Sequence, residues 1–296
     1  VTQAVSTAPS RNSLAMAALL LGGVAIGGSP IFVRLSEVGP MATAFWRVAL
    51  ALIPLVAWSQ LRNGAVVDRR PEGLSDYALL VLPGVFLAVD LGAWHLSLTM
   101  TSVANATLLA NLAPVFVTLA SWVLFRSRVS PLFLAGLVTA VAGVVVLKGG
   151  PAALGGGDLA GDSIAIVAAM FYAGYILAIG RLRSRFSTNR IMIWSTASAA
   201  VCILPMTLLA EPSLLPPSAF GWAMLLGLAL VSHAGGQVAI TYALAYLPPA
   251  FSSLTLLLQP VVAAMLAWGL LSEPVGLLQA IGGTVVLIGI LIARRG

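Results

Sequence analysis

Ten stretches of this chain are long and apolar enough to be read as membrane spans, and nothing else constrains its fold so tightly. They run 14–35, 41–61, 76–98, 102–125, 131–149, 161–182, 190–210, 219–242, 250–271 and 275–293. A span needs about 20 mostly apolar residues. Lipid offers no water to the backbone, so such a segment crosses it as a helix that satisfies its own N–H and C=O groups. Composition removes the soluble alternative. Only 8% of the residues are charged and 60% are hydrophobic, against about 25% charged in a soluble domain. The net charge of +6 would suggest nucleic acid in a soluble protein. Here it follows from arginines held in loops. The lone Cys202 allows no internal disulfide.

The ten segments are not independent. Residues 101–147 fall on residues 247–293 at a constant offset of 146, without a gap. Pro114 meets Pro260, Trp122 meets Trp268, Gly136 meets Gly282 and Gly143 meets Gly289. Apolar likeness alone matches leucine and valine readily, but rarely aligns proline, tryptophan and glycine together. The chain therefore reads as a duplication. Residues 1–13 form a polar cytoplasmic tail, 14–149 a first five-helix repeat, 150–160 a linker and 161–293 a second five-helix repeat.

Charge sets the expected orientation. With a cytoplasmic N-terminus, the inside loops hold Arg62, Arg69, Arg70, Arg126, Arg128, Arg181, Arg183, Arg185 and Arg190, and Arg294 and Arg295 follow the last span. The outside loops carry little beyond Arg34, Lys148 and the acids Glu37, Asp158, Glu211 and Glu273. That is the positive-inside pattern. Five spans per half make the second copy enter from the opposite side. The expected fold is thus an all-α polytopic membrane protein, ten transmembrane helices arranged as a 5+5 inverted repeat, as in many secondary transporters. Both termini are expected on the cytoplasmic side of a bacterial inner membrane.

Polar groups inside spans are costly and usually face a bundle interior or a cavity. Asp90 is the only acid deep in a span, and His95 and His233 also lie in spans. Trp94 shares a face with Asp90, and Gln237 shares one with His233. In the fourth span Asn111 lies on a face with Thr107, Pro114 and Thr118, and in the ninth Gln259 follows Ser252 and Thr255 and precedes Pro260. Each mid-span proline is expected to free a backbone carbonyl near the midplane. Ser29 and Pro30, after Gly27-Gly28, mark a bend in the first span. Tyr172 and Tyr175 are candidates for a cavity wall. Ser29, Asp90, Trp94, His95, Asn111, Tyr172, Tyr175, His233, Gln237 and Gln259 are therefore the candidate substrate contacts, with Pro30, Pro114 and Pro260 as helix breaks. For Asp90 three roles stand equally: binding an ammonium, carrying a proton, or pairing with a buried donor. Arg47, inside the second span, is read as snorkelling or neutralising a buried dipole.

The segment ANATLLANLAPVF, its echo AFSSLTLLLQPVV, and the glycine-rich helix closing each half resemble the drug/metabolite transporter superfamily of the EamA type. The resemblance covers essentially the whole chain. Within the superfamily the chain is most similar to the YddG-type bacterial amino acid exporters. The resemblance implies transport of a small molecule, with amino acids, drugs, purines and sugar conjugates among the family's cargoes. Arg126-Ser127 stands where the family often has Gly-Glu, so Glu273 in the second half is read as a loop acid.

Charge then narrows the cargo. A phosphorylated substrate needs cations in the cavity, and Arg47 is the only basic side chain besides the histidines clearly within a span. A polycation would prefer several buried acids. A net-neutral zwitterion suits the inventory, which points to export of small metabolites, aromatic or other apolar amino acids first, by alternating access. Multidrug or purine export on the same fold, or a passive channel, are the alternatives. No second intramembrane acid and no His-Glu-x-x-His motif is present, so an enzyme is not expected, and neither is a cofactor or metal. The expected partners are the small-molecule substrate and the lipid bilayer. No ring-forming signature appears, and a monomer suffices.

Overall fold

A computed structural model describes residues 11–61, 70–98, 100–101, 103–150, 158–272 and 275–296. Every regular element in it is helical: α1 (Arg11–Gly27), α2 (Ser29–Arg34), α3 (Pro40–Leu61), α4 (Leu74–Leu98), α5 (Val103–Ala110), α6 (Ala113–Phe125), α7 (Pro131–Leu147), α8 (Leu159–Leu182), α9 (Thr188–Ala210), α10 (Ala219–Gly227), α11 (Val238–Ala243), α12 (Pro249–Thr255), α13 (Leu258–Leu271) and α14 (Leu277–Ala293). Between α10 and α11 the chain winds as a π-helix, Leu228–Gln237. The all-α, multi-pass reading of the sequence agrees with this.

The count of ten spans does not. Among the described residues eight helical segments are long and apolar enough to cross a membrane. The expected fifth and tenth spans are α7 and α14, of 17 residues each. At 1.5 Å per residue they reach about 25 Å, short of the roughly 30 Å hydrocarbon core. The sequence reading overcounted because it included flanks that the helices leave out: Lys148 and Gly149 after α7, Val275 and Gly276 before α14. The architecture is corrected to eight crossing helices and two shorter apolar ones. The tail and linker readings fall largely on residues 1–10 and 151–157, outside the described residues. Arg11 to Ser13 belong to α1, and Asp158 caps α8 by accepting from the Ala160 N–H at 3.2 Å.

Glycine sets the closest approach. Among the described elements α7 and α14 have the most extensive contact. A Cβ placed on Gly143 would lie 2.5 Å from the Val286 nitrogen, and one on Gly136 2.5 Å from the Ala293 nitrogen. A Cβ on Gly282 would meet the Leu147 backbone, at 2.5 Å from its Cα. Backbone lies against backbone along the whole seam, as small residues permit between helices in lipid. Around it Leu137, Val144, Leu254, Val261 and Val286 form one buried cluster. A second, larger cluster lies where α1, α3, α4, α8, α9 and α11 meet and includes Leu19, Val48, Leu80, Tyr175, Ile203 and Ile240. The outward faces remain apolar. Trp122 and Trp268, which lie 146 positions apart, are each 60% exposed, as suits lipid-facing positions.

The bundle is tied at both ends. Glu211 Oε1 accepts from the Met41 N–H at 2.6 Å, in the first turn of α3. Glu37 accepts from the Ser218 hydroxyl at 2.7 Å and from its N–H at 3.2 Å, at the start of α10. Each acid thus sits on the positive end of a helix dipole. The Trp46 indole adds a bond to the Leu214 carbonyl at 2.7 Å. At the arginine-rich end Arg185 Nη2 donates to Asp76 Oδ1 at 2.9 Å, and Asp76 Oδ2 accepts from the Glu72 N–H at 3.0 Å. Asp76 is 2% exposed and Arg185 39%. Asp76→Ala is therefore expected to destabilise the protein by about 1.5–3 kcal/mol, the range for a hydrogen bond to a charged group. Arg185→Gln should cost less, because water can replace its half-exposed guanidinium. Thermal melting in detergent checks this, and equal Tm values for wild type and Asp76→Ala would refute it.

Candidate functional site

Two crossing segments are broken in their middles. The helix that begins at α5 stops at Ala110, turns through Asn111 and Leu112, and restarts as α6. The α12–α13 segment does the same at Leu256 and Leu257. Pro114 and Pro260 are buried, and each sits in the first turn of the restarted helix. There a proline's missing N–H costs little, because the first turn's donors are unpaired anyway. The prolines therefore start half-helices rather than kink continuous ones. The carbonyl that Pro260 cannot satisfy, that of Leu256, is not freed as expected. It accepts from the Gln259 N–H at 2.9 Å. On the first break Pro114 offers no N–H to the Ala110 carbonyl, while the neighbouring Leu109 carbonyl accepts from the Leu112 N–H at 3.1 Å. The third break lies at Gly28, after which Pro30 opens α2 on an exposed face.

The polar residues on these breaks are partly spent locally. The Asn111 amide donates to the Thr107 carbonyl at 2.7 Å. Thr118 and Thr255 return their hydroxyls to the carbonyls one turn back, at 2.7 and 2.9 Å. Three buried side-chain atoms are different: Ser29 Oγ, Ser252 Oγ and Gln259 Nε2 have no hydrogen-bond partner among the described residues. The Gln259 amide lies near the Tyr172 hydroxyl, and its Nε2 makes no hydrogen bond with it.

Tyr172 and Tyr175 lie one turn apart on α8, their rings stacked at 6.0 Å and 18°. Tyr175 is fully buried, and its hydroxyl accepts from Gln237 Nε2 at 2.7 Å. Gln237 closes the π-helical segment that also carries His233, whose Nε2 shares a 2.9 Å hydrogen bond with the Thr196 hydroxyl of α9. The wide turn is fitted against α1. Ser232 donates to the Ala25 carbonyl at 3.0 Å, and a Cβ on Gly22 would lie 2.8 Å from the Gly236 carbonyl oxygen. Short π segments in helices occur frequently at functional sites.

Asp90 of α4 and Arg47 of α3 complete the interior. Both are half-buried, and Tyr172 and Tyr175 lie within electrostatic reach of each. No ion pair within 4 Å joins Arg47 to Asp90 among the described residues.

The structure thus gathers Asp90, Tyr172, Tyr175, His233, Gln237 and Gln259 from four elements. His95 and Trp94 form a separate edge-to-face pair at 4.9 Å. His95 Nδ1–H donates to the Leu91 carbonyl at 2.7 Å, and the ring lines a mostly apolar cleft of about 900 Å³ that also reaches Glu37, Cys202, Met206 and Glu211. Ser29 lies buried on α2, next to α10 and α13. The ten candidates are not one constellation but a central group with outliers. Sequence reasoning noticed Arg47 without counting it among the candidate contacts, and left out Thr196 and the π winding. An arginine well inside a span was the signal for the first, and the Gly235-Gly236 pair the only hint of the last. Glu273 lies outside the described residues. No cluster of three or more metal-ligating side chains occurs among those described.

Comparison with known proteins bears on what such an interior does. The profile described as the EamA-like transporter family matches residues 13–148 and again 159–295. A protein of Archaeoglobus fulgidus described as an uncharacterized transporter is 29% identical over 270 residues, covering 89% of this chain and 91% of its own. A probable terminal-alkyne amino-acid exporter of Streptantibioticus cattleyicolor is 26% identical over 272 residues, covering 90% of this chain and 87% of its own. A solved structure titled only "Crystal structure of protein" superposes with a TM-score of 0.80 over 95% of this chain and 98% of its own. At 21% identity that likeness is one of fold.

Proposed function

This chain belongs to the EamA-like transporter family, and on that premise we propose that its cargo is a small net-neutral metabolite, an amino acid with an aromatic or other apolar side chain. The coarser statement needs no proposal: the protein is a multi-pass secondary transporter of small molecules and not an enzyme. Export across a bacterial inner membrane, termini inside, by alternating access, belongs to the proposal, as does the narrower likeness to YddG-type exporters.

One observation carries the cargo reading. Among the described residues the interior presents stacked tyrosines, two amides, a carboxylate and a guanidinium, without the several cations a phosphate would need or the several acids a polycation would prefer. Stacked rings leave a face for an apolar side chain. A relative covering most of the chain is named for amino-acid export, which agrees with this chemistry.

Counterflow in proteoliposomes tests it. Vesicles loaded with unlabelled amino acids and offered a labelled aromatic or branched one are expected to accumulate label transiently. Tyr172→Ala should lower the initial rate by about tenfold or more, the loss of an aromatic contact and its packing. Accumulation of a purine or a lipophilic cation, with none of any amino acid, would overturn the cargo. Flux that never saturates and is not competed would indicate a channel.

A further inference from the structure

The 17-residue helices α7 and α14 lie side by side in opposite directions, Gly136 against Ala293 and Gly143 against Val286. The start of α7 and the end of α14 therefore share one end of the bundle. A pair about 25 Å long cannot bring both of its ends to the surfaces of a roughly 30 Å hydrocarbon core. Such a mismatch is met by local thinning of the bilayer and by flanking residues that reach for the headgroups. At this shared end the flanking residues are Arg128, just before Ser130 caps α7, and Arg294, which closes α14.

Both arginines line one cavity of about 510 Å³. Neither guanidinium makes a hydrogen bond, ion pair or ring contact among the described residues. No Asp or Glu side chain lines the cavity, so two like charges converge there without an acidic side chain to offset them. Asn12 adds an amide from α1. Ser130 Oγ accepts from the Phe133 N–H at 3.0 Å, which leaves the hydroxyl proton to donate. The rest of the wall is mostly apolar and includes Met16, Phe133 and Phe251. A free phosphate would satisfy the arginines and leave that wall bare. A neutral lipid would cover the wall and leave the charges. Basic pockets between membrane helices at the cytoplasmic side take anionic lipid headgroups, and this is the end where the loop arginines collect.

We propose that this cavity binds an anionic phospholipid, its phosphate on Arg128 and Arg294 and an acyl chain along Met16, Phe133 and Phe251. None of the ten candidate cargo contacts lines it, so the site stands apart from the cargo reading. Arg128 and Arg294 come from the two separate segments that match the family profile. One bound lipid thus joins both to α1 and stabilises this arrangement by mass action. Membrane composition then becomes a regulator of the carrier.

Thermal melting of the purified protein in detergent, with lipid added in mixed micelles, tests this. Dioleoylphosphatidylglycerol is expected to raise Tm by about 3 °C or more, and dioleoylphosphatidylcholine to leave it nearly unchanged. Inorganic phosphate and glycerol 3-phosphate at the same concentration should not raise it. Arg128→Gln and Arg294→Gln should each raise the phosphatidylglycerol needed for half the shift about fivefold, the worth of one basic residue near an anionic membrane. The double variant should need about 25-fold more. Both side chains are exposed and make no contacts of their own, so the variants should melt near wild type without lipid. The headgroup selectivity of the wild type is in any case read without a variant. Arg295→Gln is the control, because it removes the neighbouring charge outside the lining and should keep the full response. Equal shifts with phosphatidylcholine, a shift with either soluble phosphate, or equal losses in Arg294→Gln and Arg295→Gln would each overturn the site. So would competition between phosphatidylglycerol and labelled L-phenylalanine, which would make the cavity a cargo vestibule.

Discussion

Gly282→Ala is expected to leave little folded protein, and what survives should melt about 5 °C or more below wild type. The added methyl meets Leu147 backbone at Cα, 2.5 Å away, and the Gly143 carbonyl oxygen at 2.7 Å. Side chains can rotate away from such a clash, but backbone cannot. The only relief is to part α7 from α14, and that opens the cluster of Leu137, Val144, Leu254 and Val286 packed against the seam. Overpacking a tight interface typically costs about 1–3 kcal/mol, and here the neighbour has no room to give. Gly269 is the control, since a Cβ there meets nothing within 4 Å. Gly269→Ala should melt at or slightly above wild type, because alanine is the better helix former. Thermal unfolding in detergent and the yield of monodisperse protein decide it. Equal melting of the two variants would mean that the seam is looser than described.

The second large effect concerns the bond between Gln237 and Tyr175. Gln237→Leu keeps the side chain's bulk but leaves the Tyr175 hydroxyl without its donor in a fully buried place. An unsatisfied buried group costs about 1–3 kcal/mol, whereas removing both partners together is nearly neutral. Gln237→Leu should thus be destabilised, and Gln237→Leu/Tyr175→Phe should recover most of the lost stability. Transport should separate from stability. Counterflow is expected to fall at least about tenfold in the single variant and to stay low in the double, if the pair contacts cargo. A double variant that regains both stability and flux would make this bond purely structural.

How much of this was legible beforehand depends on which property of a residue decides the outcome. Span existence rests on bulk hydropathy, and the eight long segments sit within a few residues of the expected ranges. Span length rests on where helices end, and the ends of α7 and α14 are set by Lys148-Gly149 and Val275-Gly276, which an apolar count does not exclude. The prolines marked the broken segments, because Pro114 and Pro260 cannot donate. Which form the break takes was not legible, since a proline that starts a half-helix and one that kinks a helix read alike. Hydrogen-bond partners were beyond reach. Gln237 with Tyr175, and His233 with Thr196, join residues 62 and 37 positions apart. Only the packing of α8, α9 and the π segment brings them together. The resemblance spoke of Gly-Glu after the fourth span, and the structure gives that position physical content. Arg126 and its repeat mate Ser272 both adopt left-handed backbone, at φ 50° and 55°, where glycine is the easier residue.

The wide winding of residues 228–237 has a consequence for motion. An i→i+5 turn packs more residues into a given rise than an α-turn, so this span carries slack that its neighbours lack. Rewinding even one turn as α-helix would push the chain lengthwise and change the phase of everything beyond it. Two side-chain bonds, His233 to Thr196 and Gln237 to Tyr175, fasten the wide form to α9 and α8. Were a cargo molecule to compete for the Gln237 amide, as the proposed function has it, one of those fastenings would loosen. Occupancy of the interior and the length of a helix would then be two readings of a single coordinate, with no separate messenger needed to sense the load.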